Sequence, residues 1–195
     1  SREKGQALRS APLIGTNQLE QLKNPDGRVI LEGSISGVLL RNHADSRWGL
    51  RTADSPRFIL LFWELPQRLK GWEFQQGSVT QTVEYGGREH IILWENGAGD
   101  IQRYAELGLA SIQGGDAWNK KGIAVRLTGS LPCTLFTGEI FDNNCAIIWP
   151  HNSEHLAAVW AFCSSTKFYP LVKQLEPKLN VTNQTLPKVR LEHPP

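Results

Sequence analysis

The sequence predicts an α+β domain, a mixed and largely antiparallel sheet followed by packed C-terminal helices. Three observations carry the expectation. Short apolar runs alternate with glycine and polar turns between residues 28 and 149, helical spacing of apolar residues begins only after residue 153, and 40% of the 195 residues are hydrophobic. The first pattern is that of strands and their turns, the second that of helices laid on one face, and the third is enough to bury a core.

The elements follow in order. "NQLEQLK" (17–23) opens on Asn17, a residue type that caps helices, and "NPDG" (24–27) is a turn that ends it. Residues 1–28 therefore read as a short helical lead-in and residues 29–195 as the main domain. Strands are expected at "RVILE" (28–32), "VLLR" (38–41), "FILLFW" (58–63), "SVTQTVEY" (78–85) and "HIILW" (90–94). A second group, "IAVRL" (123–127), "CTLF" (133–136) and "CAIIW" (145–149), comes after the glycine-rich "LGLASIQGGDAW" (107–118). Leu156, Val159, Trp160 and Cys163 then recur at helical spacing behind a Ser153 cap. "TKFYPLVKQLE" (166–176) carries Pro170 near its start, where a helix tolerates it.

A net charge of +2 is too small to mark a nucleic-acid binder, so any footprint must lie in how charge is distributed. It is uneven. Residues 167–190 hold five bases (Lys167, Lys173, Lys178, Lys188, Arg190) against one acid, Glu176, and residues 118–126 hold Lys120, Lys121 and Arg126 with no acid. Cys133, Cys145 and Cys163 stand far apart without C-x-x-C spacing, which suggests neither a disulfide framework nor a thiolate metal site and favours a reducing cytoplasm. Sequons at Asn180 and Asn183 matter only on a secreted chain. No segment reads as a signal peptide and no apolar run approaches membrane length. The chain contains no methionine, even at its start, and reads as a segment of a longer protein.

Catalytic motifs are weak. "HNSEH" (151–155) fits the H-x-x-E-H pattern of a zinc protease helix, but His151 directly follows Pro150 in the loop before the helix, so the two imidazoles are not expected on one helical face. Glu64, Glu73, Asp100, Glu139 and Asp142 are interleaved with tryptophans, yet sequence spacing does not bring any two together as a glycosidase pair. The G-x-G at residues 97–99 lacks the rest of a dinucleotide fingerprint. Among seven tryptophans, Trp118 stands in the basic turn "DAWNKKG" (116–122). An indole beside two ammonium groups can stack on a base or sugar while the lysines contact phosphates, and it can equally anchor a strand edge.

Four blocks in order resemble the large single-chain adenine-specific DNA methyltransferases of restriction-modification and phage-defence systems. "GLRTADSPRF" (49–58) with "FWE" (62–64) is similar to that family's G-[LI]-x-T-G-D-[ND]-x-R-F block and its following W-E. "EYGGREHIILWENGAGDI" (84–101) resembles its Y-G block leading to W-E-N and a glycine turn. "AWNKKGIAVRLTGSLPCTLFTGEIFDNNCAIIWP" (117–150) resembles the block in which an aromatic precedes K-K-G-[IV] and F-D-N-N opens a later strand. "LAAVWAFCSSTKF" (156–168) and "KLNVTNQTLPKV" (178–189) resemble the closing helix and tail. Departures are Ala53 where glycine is usual, and Ser55-Pro56 in place of an asparagine-containing turn.

The resemblance implies a target recognition segment that follows a catalytic domain and reads duplex DNA. The chain lacks the cofactor-binding glycine motif and the N-P-P-[YF] tetrapeptide, so S-adenosylmethionine and catalysis would belong to the catalytic domain of the parent chain, and this segment holds no cofactor. Arg51, Arg57 and Arg88 become candidates for phosphate or guanine contacts, and Lys120, Lys121 and Arg126 for phosphates. Thr52 and Asp54 would shape the opening loop; Asn143 and Asn144 would touch bases or make a turn. Two other classes stay open: a docking module for other defence-system subunits, marked by an exposed apolar patch, and a small hydrolase using the carboxylates or His151, Glu154 and His155.

Overall fold

A computed structural model of the protein describes residues 2–13, 15–30, 37–67 and 69–191. The chain divides into two compact units, Ser1–Ser36 and Gly37–Pro195. In the first, α1 (Arg2–Ser10) precedes the single turn α2 (Gln18–Gln21), whose Asn17 cap accepts the Leu19 N–H at 2.9 Å. Gln21 Oε1 accepts from the Asn24 side chain at 2.9 Å and from the Ile30 N–H at 2.6 Å, which closes the "NPDG" turn. Residues 28–30 are irregular, and the rest of the strand expected at 28–32 lies outside the described residues.

The second unit is α+β, with open sheets. In chain order it runs β1 (Val38–Leu39), β2 (Ala44–Trp48), α3 (Ser55–Phe58), β3 (Ile59–Leu61), β4 (Trp72–Gln76), β5 (His90–Leu93) and α4 (Asp100–Glu106). It continues through β6 (Gly122–Arg126), β7 (Cys133–Phe136), β8 (Ile140–Phe141), β9 (Cys145–Pro150), α5 (Leu156–Cys163), α6 (Phe168–Leu175) and β10 (Arg190–Leu191). One sheet has the antiparallel order β2-β9-β6-β7; the other has the order β3-β5-β4-β8, with only β8 parallel to its neighbour; β1 and β10 pair by themselves. Among the described residues no helix is long and apolar enough to cross a membrane.

Burial explains the strands. Every residue of β9 is buried, as is most of β6, so these central strands are nearly continuous apolar runs, while β2 is an edge strand with exposed Asp45, Arg47 and Trp48. One core cluster gathers Ala124, Phe136, Phe141 and Ile147; another gathers Leu50, Phe58, Ile92, Ile101 and Ile140. The short strand β8 contributes to both through Ile140 and Phe141. Burying each of Phe58, Phe136 and Phe141 contributes about 2–3 kcal/mol. On α6, Phe168, Val172 and Leu175 fall on one buried stripe, and Pro170 occupies the first turn, where its missing N–H costs nothing.

Two expectations are corrected. The segment 78–85 is irregular rather than a strand: its backbone bonds to β7 are Val83 N–H to Cys133 O (3.1 Å) and Leu135 N–H to Glu84 O (3.0 Å), and the Thr82 hydroxyl accepts the Cys133 N–H at 3.3 Å. The Thr134 hydroxyl, donating to Glu84 O at 3.1 Å and accepting from Gly86 N–H at 3.0 Å, takes the places a longer ladder needs. The cap before α5 is Asn152 rather than Ser153. Its Oδ1 accepts the Glu154 N–H at 3.0 Å and starts a 3-10 turn, Ser153–His155, that runs into the helix.

Candidate nucleic-acid interface

The exposed edge of β2 forms one wall of a cleft of about 950 Å³. Four cationic side chains line it: Arg41 from the turn after β1, Arg47 of β2, Arg126 at the end of β6, and Lys188. Among the described residues, Asp45 is the one carboxylate in the lining. Six carboxamides complete it: Gln113, Asn143 and Asn144 in the β8–β9 turn, and Asn180, Asn183 and Gln184 in the loop after α6. Carboxamides carry a donor and an acceptor side by side, and guanidinium groups carry forked donors, so the lining suits phosphates and base edges together.

Each wall is fixed from below. The Leu127 N–H donates to Asn144 O at 3.2 Å, and the Val181 N–H donates to Leu127 O at 2.9 Å, which ties the 180–184 loop to the ends of β6 and β9. Asp142 Oδ1 accepts the Asn144 N–H at 2.9 Å and shapes the β8–β9 turn. Asn143 O accepts the Trp48 indole N–H at 2.5 Å. Arg126 Nε donates to Thr128 Oγ1 at 2.9 Å.

The strongest anchor of the 180–184 loop is Glu176, only 5% exposed. One of its oxygens accepts the Thr182 N–H (3.0 Å), the Thr182 hydroxyl (3.0 Å) and the Thr185 hydroxyl (2.6 Å). Lys178 Nζ stands 3.7 Å from the other oxygen. Burial acts to raise the Glu176 pKa, but the bonds from Thr185 and Thr182, with Lys178, outweigh it and hold the carboxyl below the ordinary glutamate range.

A second cleft of about 570 Å³ is lined by Lys120, Lys121, Trp149 and His151, and shares Asp45 with the first. The buried Trp149 ring links the two: Lys120 Nζ lies 4.8 Å from its centroid and the Arg47 guanidinium 6.0 Å. Arg47 Nε also pairs with Asp116 at 3.0 Å, and His151 Nε2 stands 3.3 Å from Asp45 Oδ2. These are exposed pairs, worth about 0–1 kcal/mol each.

The loop that opens at residue 49 leaves directly from this wall. Gly49 passes the β8–β9 turn so closely that a Cβ there would fall 2.0 Å from Asp142 O, and the Leu50 N–H donates to Phe141 O at 2.8 Å. Arg51 and Ser111 exchange backbone bonds at 2.9 Å each, and the exposed Arg51 side chain donates from Nη2 to Leu109 O at 3.4 Å. Thr52 is buried, with Oγ1 3.3 Å from Ser55 Oγ. Ala53 adopts a left-handed φ of 68°, and Asp54 precedes α3 without a side-chain cap. Arg57 turns back onto the protein. It donates to Tyr104 Oη at 2.7 Å, pairs with Asp100, and packs against the rings of Phe58 and Tyr104.

Two other predicted contact residues also face inward. Arg88 Nη2 donates to Leu135 O at 2.7 Å, and its Nε lies 3.4 Å from Glu139 Oε1, so it fastens the turn before β8. Trp118 is half-buried, packs against both core clusters and meets Trp94 edge to face at 5.2 Å. Of the hydrolase candidates, His151 faces Asp45 while His155 lies edge-on to His43 at 6.0 Å. Asp100 and Glu139 are paired with arginines.

The structure therefore gathers Arg126, Asn143 and Asn144 in one cleft and Lys120 and Lys121 in the next. It adds Arg41, Arg47, Trp48, Gln113, Asn180, Asn183, Gln184 and Lys188, which sequence reasoning missed. A signal existed only for Lys188, within the basic run of residues 167–190. Comparison with known protein families finds no family model that matches the chain, and comparison with curated proteins finds no match.

Proposed function

We propose that this chain is the target-recognition segment of an adenine-specific DNA methyltransferase from a restriction-modification or phage-defence system, and that it grips duplex DNA along the β2 edge. The observation that carries this reading is the cleft lining, in which four cations suited to phosphates surround six carboxamides suited to base edges. Ala53 adds support, because its φ of 68° is the conformation that favours the glycine usual at this position in the family's block. In this reading the catalytic domain of the parent chain holds S-adenosylmethionine and draws out the target adenine, while this segment holds the flanking duplex and no cofactor. Other defence-system subunits are further partners. The setting is the cytoplasm, which suits three free, buried cysteines.

The test is binding of the chain to random duplex DNA by fluorescence anisotropy over a salt series. Affinity should fall steeply with salt, and Arg41→Ala/Arg126→Ala should reduce the log–log slope by about two units. No binding at low salt, or an unaltered slope in the double variant, would overturn the proposal. A docking role beside DNA binding is favoured by one observation: Phe62, Trp63 and Phe74 are 49%, 58% and 42% exposed, and the Phe62 ring meets those of Trp63 and Phe74, with centroids 4.9 Å and 6.5 Å apart.

A further inference from the structure

Among the described residues, Trp48 is the one aromatic ring in the lining of the larger cleft. It is 38% exposed, although Ala44 and Ser46, which share its parity on β2, are buried. Its indole N–H is committed to Asn143 O at 2.5 Å, which fixes the edge of the ring against the β8–β9 turn. No ring or cation contacts its faces among the described residues. The next residue, Gly49, is pressed against Asp142 O, so the backbone beside the ring has no room to shift. Two residues earlier, the Ser46 hydroxyl belongs to the same lining, is buried, and has no hydrogen-bond partner among the described residues.

A rigid, half-exposed indole among cations and carboxamides has the parts of a nucleobase-stacking site. Stacked duplex bases show a groove only their edges, so the plane of Trp48 finds a partner only in a base that has left its stack, or between two opened steps. We infer that Trp48 is a stacking platform for an unstacked nucleobase. The inference rests on the DNA-binding reading above and adds to it: the cleft prefers DNA with a locally opened base over a continuous duplex. Asn143 positions the ring through its carbonyl, while Arg41, Arg47 and Arg126 hold the flanking phosphates.

The experiment uses the full chain and two fluorescein-labelled duplexes of one sequence, one fully paired and one with a single bulged adenine. The wild type should bind the bulged duplex about tenfold more tightly, the discrimination that one stacked base supplies. Trp48→Leu should bring the ratio near one, Trp48→Phe should keep most of it, and Arg41→Ala should weaken both duplexes alike with the ratio intact. With 2-aminopurine in the bulge, fluorescence should fall on binding to the wild type and not to Trp48→Leu. A wild-type ratio near one, or a ratio unchanged in Trp48→Leu, overturns the stacking site while the duplex reading stands. No binding to either duplex at low salt overturns both.

Discussion

Removing the Glu176 carboxylate should loosen the loop that brings Asn180, Asn183 and Gln184 to the cleft. Three donors converge on one buried oxygen, at 3.0, 3.0 and 2.6 Å. A hydrogen bond to a charged acceptor contributes about 1.5–3 kcal/mol, but three bonds to one atom are not additive. The two threonine hydroxyls stand 3.1 Å apart and can still pair with each other, which leaves the Thr182 N–H as the main orphan. Glu176→Ala should therefore destabilise the fold by about 3 kcal/mol, and Glu176→Gln, which keeps a neutral acceptor, by about half as much. In a chain of this size the first corresponds to a fall of about 6–12 °C in Tm. Urea unfolding followed by circular dichroism measures both variants. The pH dependence has a definite sign: the folded pKa is lowered, so the contribution is complete above the ordinary glutamate value and is lost as pH falls through the lowered one. The wild type should thus lose stability on acidification more steeply than Glu176→Gln. Glu176→Ala within about 1 kcal/mol of the wild type, against the 1.5–3 kcal/mol of a single such bond, would refute the reasoning.

Other consequences follow from the wall of the cleft. Ala53→Gly should raise stability by about 0.5–1 kcal/mol in thermal melts, because relief of the left-handed strain exceeds the added chain entropy. Gly49→Ala should cost about 3 kcal/mol, since its methyl group lands against Asp142 O and must displace the end of β2. Burial pushes the Cys133 thiol up to about 11, against a smaller lowering by Thr82, and burial also holds Cys145 and Cys163 well above the ordinary thiol range. Ellman's reagent at pH 8 should find no rapidly reacting thiol in the native chain and three after denaturation.

Apolar runs marked the interior well. "HIILW", "IAVRL", "CTLF" and "CAIIW" became β5, β6, β7 and β9 because those strands bury both faces or one clear face. The edge strand β2, "ADSRW", was silent: its inward positions are a small alanine and a serine, and its outward ones are charged. Strand β4 ends on buried Gln75 and Gln76, and the Gln76 side-chain nitrogen donates to the carbonyls of Gly77 and Gly86 at 2.8 Å each, pairings that no periodicity shows. The cleft was harder still to read. It draws on residues 41–48, 78, 113, 126–128, 143–144 and 180–188, brought together by strand pairing and by the Glu176 anchor. Arg57 and Arg88 looked like contact residues by type, yet nearby carboxylates hold both against the protein.

The central claim is that this segment reads DNA sequence, and selection from a pool of random duplexes tests it most directly. Repeated rounds of binding and amplification should enrich one short site for the wild-type chain, with the enrichment lost in Asn143→Ala/Asn180→Ala/Asn183→Ala. Retention of DNA by the wild-type chain with no sequence enriched would contradict the account.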